Sequence, residues 1–257
     1  MTLKARAHRL ADHVVRLFPS DRLPTRWNGA WLTVPRASWE SVHRTYEPYL
    51  ARVLRTFLQS GGCFLDVGAH LGLWSLFAAT RVGSTGRVVA LEPSAAYDLL
   101  TANAARYPQI TPLRVGAGAT VRCATFFGQG TSSSGSFVQE VTAINQRYQS
   151  EVPITPLSVP IVTLDGLVAA HHLQTSLVKV DVEGFEGQVL DGATRLLASG
   201  VPCVIEIHPA QLMLSGDPMK AGASSTGAGA VVSTPMRRSG VCNSSSDAMR
   251  TRSFRCL

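Results

Sequence analysis

The stretch CFLDVGAHLGLWSLFAA, residues 63–79, joins an apolar strand ending in Asp66 to a glycine turn and then to an amphipathic helix. A side chain at Gly68 or Gly72 would keep the backbone away from a ligand, and the start of the helix offers unpaired N–H groups to a carboxylate or phosphate. The stretch reads as a nucleotide-binding strand, turn and helix, with Asp66, Gly68, His70 and Gly72 as candidate ligand-binding residues. Twenty residues after Gly72 the strand RVVALEP ends in Glu92. A carboxylate placed there can accept both hydroxyls of a ribose. A third segment, SLVKVDVEGFEGQVLDGATRLL over 176–197, sets Asp181 and Glu183 at a strand end and Glu186 in the turn that follows. Glu206 and His208 close one more strand, two residues apart and so on one face. Acids and an imidazole at strand ends can orient or deprotonate an acceptor. Asp181 is the candidate group facing the reaction, with Glu206 and His208 assisting; Glu183 or Glu186 caps the next helix or bonds to Lys179. Asp181, Glu206 and His208 are types that suit a divalent cation, but nothing in their spacing demands one, and no metal is expected.

The pattern discriminates between cofactors. A dinucleotide fold wants G-x-G-x-x-G, whereas positions 68, 70 and 73 are Gly, His and Leu. An acid at the strand end before a G-x-x-x-G turn resembles the first motif of class I methyltransferases. The segment VKVDVEGFE, followed by VL and GA, is similar to that of FkbM-type methyltransferases, matching at Lys179, Asp181, Glu183, Gly184, Glu186, Val189, Leu190, Gly192 and Ala193. VTLDGL (162–167) and VPCVIEIHP (201–209) resemble the flanking elements of that family, so the likeness runs from about residue 60 to about 212. It implies a doubly wound, mostly parallel α/β sheet with S-adenosylmethionine as cofactor, the Gly68 loop holding its methionine part. It also implies O-methylation of a hydroxyl on a sugar or secondary metabolite. Two rivals stand beside this reading: an NAD(P)-dependent oxidoreductase, and a catalytically inactive cofactor-binding paralogue.

The elements that must position these residues follow from periodicity. Strands are expected at 63–67, 87–92, 110–115, 176–182 and 202–208, with helices near 72–82, 95–106 and 185–199. Helical spacing of Leu3 to Leu17 and of Trp39 to Phe57, separated by a tight turn at Asn28-Gly29, predicts an N-terminal helical cap over 1–60. The methyltransferase-like domain then covers 61–215. Between its third and fourth strands lie about sixty residues expected to be irregular or a β-hairpin, including TSSSGSF over 131–137. Residues 216–257 hold eight Ser and five Gly with no period, which predicts a disordered tail and incomplete C-terminal strands.

Composition excludes other classes. The net charge of +7 is confined to the ends: residues 61–215 carry eight Lys or Arg against eleven acids. A nucleic-acid partner is therefore not expected. Five cysteines without a CxxC pair suggest reduced thiols. No stretch approaches the roughly 20 apolar residues of a membrane span, and the N-terminal residues lack a secretory pattern. A cytoplasmic enzyme is expected, acting on a small-molecule or glycan hydroxyl; oligomeric state is not legible.

Overall fold

The computed structural model describes residues 22–36, 47–149, 152–215 and 229–233. The first described elements are β1 (Arg22–Trp27) and β2 (Ala30–Pro35), an antiparallel hairpin in which Trp27 faces Ala30. Asn28 (φ 48) and Gly29 (φ 93) are both left-handed, the condition for the two-residue turn whose twist matches paired strands. The tight turn expected here thus joins two strands rather than two helices. Leu23, Thr25 and Trp27, like Ala30, Leu32 and Val34, are buried at every second position, a period of two that only a strand can turn to one face. The expected first helix lies outside the described residues, as does the start of the second, of which α1 (Pro48–Phe57) is the described part.

The main sheet is built from β3 (Cys63–Val67), α2 (Leu73–Val82), β4 (Arg87–Leu91), α3 (Tyr97–Ala104) and β5 (Ile110–Leu113). An excursion through β6 (Gly116–Ala117), β7 (Arg122–Gly128), α4 (Gln139–Gln149), β8 (Thr155–Val162) and α5 (Leu164–Ala170) follows. The chain returns as β9 (Leu177–Val180), α6 (Glu186–Asp191), α7 (Thr194–Ala198), β10 (Cys203–Ile207), α8 (Pro209–Ser215) and β11 (Gly229–Ser233). Strand order is β11-β10-β9-β3-β4-β5, with the five strands from β10 to β5 parallel and β11 antiparallel to β10. The expected doubly wound sheet is present. The tail expected to lack structure contributes β11, which pairs the outer edge of β10 and adds one antiparallel strand where an incomplete edge was expected.

The central strands β3 and β4 are buried on both faces, as helices on both sides require. Phe64, Val88, Ala90 and Leu177 pack with the hairpin, α1, α2 and α3. Cys63, Leu65, Val67 and Val89 pack with α5, α6 and α7 on the other side. The hairpin belongs to the first of these cores. Trp27 meets Trp74 edge-on at 4.8 Å, and Asn103 of α3 exchanges hydrogen bonds with Thr33, its Nδ2 also donating to Leu71 O at 2.9 Å. The helix expected over 185–199 is two short ones, because the chain breaks at Gly192 and α7 gains its own cap. The Asp165 carboxylate accepts from the N–H groups of Arg195 (2.9 Å) and Leu196 (2.8 Å), outweighing burial and lowering its pKa. The sixty-residue excursion contains the antiparallel pair β7-β8 and also a helix, α4, that the sequence reading lacks. Cys63 and Cys203 are buried and in no disulfide, whereas Cys123 is disulfide-bonded, contrary to the expected reduced thiols.

Candidate functional site

Five of the main strands end on one side of the sheet, and the loops leaving β3, β4, β5, β9 and β10 enclose a cleft of about 770 Å³ including its open mouth. Open parallel sheets bind ligands in that place. Gly68, His70, Glu92, Asp181 and Glu206 line it, as the sequence predicts; Asp66, Gly72 and His208 do not.

The floor is the turn after β3. Gly68 has φ 79, and a Cβ there would lie 1.8 Å from the carbonyl oxygen of Asp181. The turn can therefore run against β9 only as glycine. Its amide donates to Leu91 O at 3.0 Å, as does that of Ala69, which ties the turn to the end of β4. His70, itself at φ 50, donates its backbone N–H to Glu92 Oε2 at 2.7 Å, and Ser94 N–H donates to Oε1 at 2.9 Å. Each carboxylate oxygen of Glu92 thus has one lone pair engaged and one left for a ligand hydroxyl. The imidazole of His70 reaches across to Thr131 O at 2.7 Å, tethering the loop that roofs the cleft. Gly72 instead begins α2, where a Cβ would meet Leu100 Cδ1 at 2.7 Å.

Beneath this floor lies a buried charge network. Asp66 is fully buried; it accepts from Ser75 Oγ and lies 3.6 Å from Lys179 Nζ. Lys179 donates to Asp181 Oδ2 and to Gly68 O, both at 3.1 Å. Its partners are thus Asp181 and Asp66, where the sequence reading offers Glu183 or Glu186. Burial alone would lower the Lys179 pKa, but the two carboxylates more than offset it and hold the ammonium charged. Burial raises Asp66 despite that neighbour. Lys179 stands two residues before Asp181, which directly follows β9, so the strand's period of two, continued by one residue, pairs them.

The far end of the cleft is acidic. Glu206 faces it beside Asp181 and Glu183; burial and the charges of Asp181 and Glu47 raise its pKa to about 7, against the opposing His208 and Lys179. His208 lies behind Glu206, its Nε2 3.7 Å from Glu206 Oε1 and 3.8 Å from Glu183 Oε2, its Nδ1 3.0 Å from Glu186 Oε1. Burial would lower this imidazole, yet the carboxylates around it, Glu186 first, raise it to about 9. Candidate ligand atoms of Asp181, Glu206 and His208 all lie within 4.8 Å of one another, so a divalent ion could reach them. It would have to displace the imidazolium proton, since a charged ring has no lone pair to offer. Three aromatic rings also line the cleft: Phe137 packs 5.1 Å from Phe126 and 5.2 Å from Phe185. None of these three rings, nor the burial of Glu186, is signalled by the motifs.

Residues 66–215 match the family model described as the methyltransferase FkbM domain. The chain belongs to that family. Over 167 residues it is 32% identical to hexuronic acid methyltransferase AglP of Haloferax volcanii, a match that covers 63% of this chain and 62% of that protein. Among solved structures, the FkbM methyltransferase of Methylobacillus flagellatus is similar at TM-score 0.38 and 18% identity, over 66% of this chain and 42% of that one. An S-adenosylmethionine-dependent O-methyltransferase of Thermotoga maritima is similar at TM-score 0.39 and 14% identity, over 69% of this chain and 52% of that one.

Proposed function

We propose that this FkbM-family protein is an S-adenosylmethionine-dependent O-methyltransferase acting on a hydroxyl of a sugar or secondary metabolite. The observation that carries the reading is the meeting, in one cleft, of the glycine floor at Gly68, the Glu92 carboxylate and the acidic end at Asp181 and Glu206. Those residues fit the cofactor: bare backbone at Gly68 leaves room for its amino-acid part, Glu92 keeps two acceptor sites for ribose hydroxyls, and the surplus of carboxylates suits a cation. The side chain of His70 stands where a dinucleotide needs glycine, which disfavours the nicotinamide reading. S-adenosylmethionine supplies a methyl group on a sulfonium, open to in-line attack by an acceptor oxygen.

The protein's own part is alignment and proton handling. Positioning contributes about 7 to 11 kcal/mol in favourable cases, and a general base about 10²- to 10⁴-fold. Glu206, raised to about 7 and facing the cleft, is the group that takes the hydroxyl proton. Asp181, held by Lys179, orients the acceptor. His208, charged and set behind Glu206, is a poor base at neutral pH and acts as a fixed cation. Asp66 serves the site indirectly by holding Lys179. The Phe126, Phe137 and Phe185 wall excludes water and offers rings on which the apolar face of a sugar can stack.

The hexuronic acid in the relative's name supports a sugar as the acceptor. The division expected from the sequence, a cap over 1–60, a catalytic domain over 61–215 and a tail over 216–257, is carried with this reading on the support of the family match over 66–215, although the hairpin packs into the same core and β11 pairs with β10 of the sheet. Among the described residues no helix is long and apolar enough to cross a membrane. A cytoplasmic setting remains part of this proposal. The test is transfer of labelled methyl from S-adenosylmethionine to a panel of neutral sugars and hexuronic acids, with product analysis to locate the label. Label on a hydroxyl oxygen is expected. A folded chain that binds the cofactor and labels nothing on the panel would favour the inactive paralogue.

A further inference from the structure

We infer that Glu186 is a positioning residue, whose buried carboxylate fixes the His208 ring behind Glu206 and so sets the electrostatics of the acidic end of the cleft. Glu186 stands in the first turn of α6 and has no solvent exposure. An acid in a first helical turn gains from the helix dipole while remaining in water, so that role does not account for its burial. Its Oε1 accepts from Gly184 N–H at 3.1 Å and lies 3.0 Å from His208 Nδ1, while Oε2 has no hydrogen-bond partner among the described residues. A buried carboxylate so thinly served by neutral donors calls for a cation, and the imidazolium of His208 is the one beside it.

The placement has a direction. With Nδ1 turned to Glu186, the ring presents Nε2 to Glu206 and Glu183. The same arrangement, a carboxylate orienting one ring nitrogen so that the other faces the reacting groups, serves hydrolases in fixing an imidazole. The charged groups acting on His208 are Glu186, Glu183 and Asp181, with Glu206 3.7 Å from its Nε2. Those acting on Glu206 are Asp181 and Glu47, which favour its protonated form, and His208 and Lys179, which favour the carboxylate. Removing the Glu186 charge lets His208 lose its proton at lower pH. Glu206 then loses an opposing cation and keeps its own proton to higher pH.

This inference rests on the proposed methyltransferase site, but its primary test does not need catalysis. Histidine-labelled protein is titrated by NMR, with His208→Ala assigning the resonance among the seven histidines. In the full chain His208 is expected to titrate near pH 9. Glu186→Gln should move that midpoint down by about two units, into the range in which Glu206 titrates, and leave the other imidazoles in place, with Glu186→Asp in between. A wild-type midpoint near the ordinary 6.5, or an unmoved midpoint in folded Glu186→Gln, overturns the inference. Should Glu186→Gln fail to fold, the wild-type titration still decides. Titrating S-adenosylhomocysteine into the same samples reports separately on the methyltransferase reading. Where methyl transfer is measurable, the acidic limb of the kcat profile in Glu186→Gln should shift to higher pH while the KM for S-adenosylmethionine stays within threefold. A lower rate with an unshifted limb counts against the inference.

Discussion

Replacing Gly68 with alanine separates the geometry of the cleft floor from ordinary backbone preference. Two costs are expected. At φ 79 an alanine sits in the left-handed region, a penalty of about 1 to 2 kcal/mol. The new Cβ would also lie 1.8 Å from Asp181 O, where real Cβ contacts stay beyond 3.0 Å, so the turn must retreat by about 1.2 Å. A misplacement of about 1 Å in a positioned site costs on the order of 10²-fold. Cofactor affinity should therefore fall about 100-fold, or about 2.8 kcal/mol. Gly29→Ala is the control. Its φ of 93 carries the same backbone penalty, but its Cβ meets nothing within 4 Å. Urea unfolding should show both variants destabilised, Gly68→Ala the more so, and calorimetric titration of S-adenosylhomocysteine should show loss of affinity in Gly68→Ala alone. Folded Gly68→Ala with wild-type affinity would refute the placement of the cofactor against this turn.

Two further outcomes follow from the charged groups. The Glu206 pKa is raised to about 7 from 4.5, so the protein keeps that proton through a window in which the unfolded chain has lost it. Between those values the Glu206 contribution to stability declines as pH rises, while kcat/KM grows as the base becomes available. Glu206→Gln should remove the limb near pH 7 and lower kcat by about 10²- to 10⁴-fold; a retained limb would assign the base elsewhere. Lys179→Met leaves Asp66 and Asp181 without their shared cation and should cost about 3 to 5 kcal/mol in urea unfolding. A loss below about 1 kcal/mol would show that the network is dispensable.

The parallel sheet was legible because its strands are short apolar runs ending in acids or glycines, and β3, β4, β9 and β10 fall within two residues of their expected bounds. Period two also placed Glu206 and His208 side by side, and their 3.7 Å approach bears that out. In Leu23, Thr25 and Trp27 the same period is masked by a buried threonine and neighbouring arginines, so the sequence shows the turn and hides the hairpin. What sequence could not supply is depth. Asp66 has the motif position of a ligand-binding acid but turns into the protein toward Ser75 and Lys179. Glu186 has the position of a solvated first-turn acid but is enclosed by the turn at Gly184 and by His208. Both outcomes depend on contacts more than twenty residues distant, or on the packing of a turn, neither of which a local pattern records. Helix α4 was hidden for another reason: its polar composition has no apolar stripe long enough to stand out.

The proposed methyltransferase site is tested most directly by calorimetric titration of S-adenosylhomocysteine into the full chain, with NADH titrated in parallel and Gly68→Ala as the site control. Saturable binding of S-adenosylhomocysteine is expected, with none of NADH and about 100-fold weaker binding in the variant. Binding of NADH, or of neither ligand by a chain shown to be folded, would contradict the proposed site.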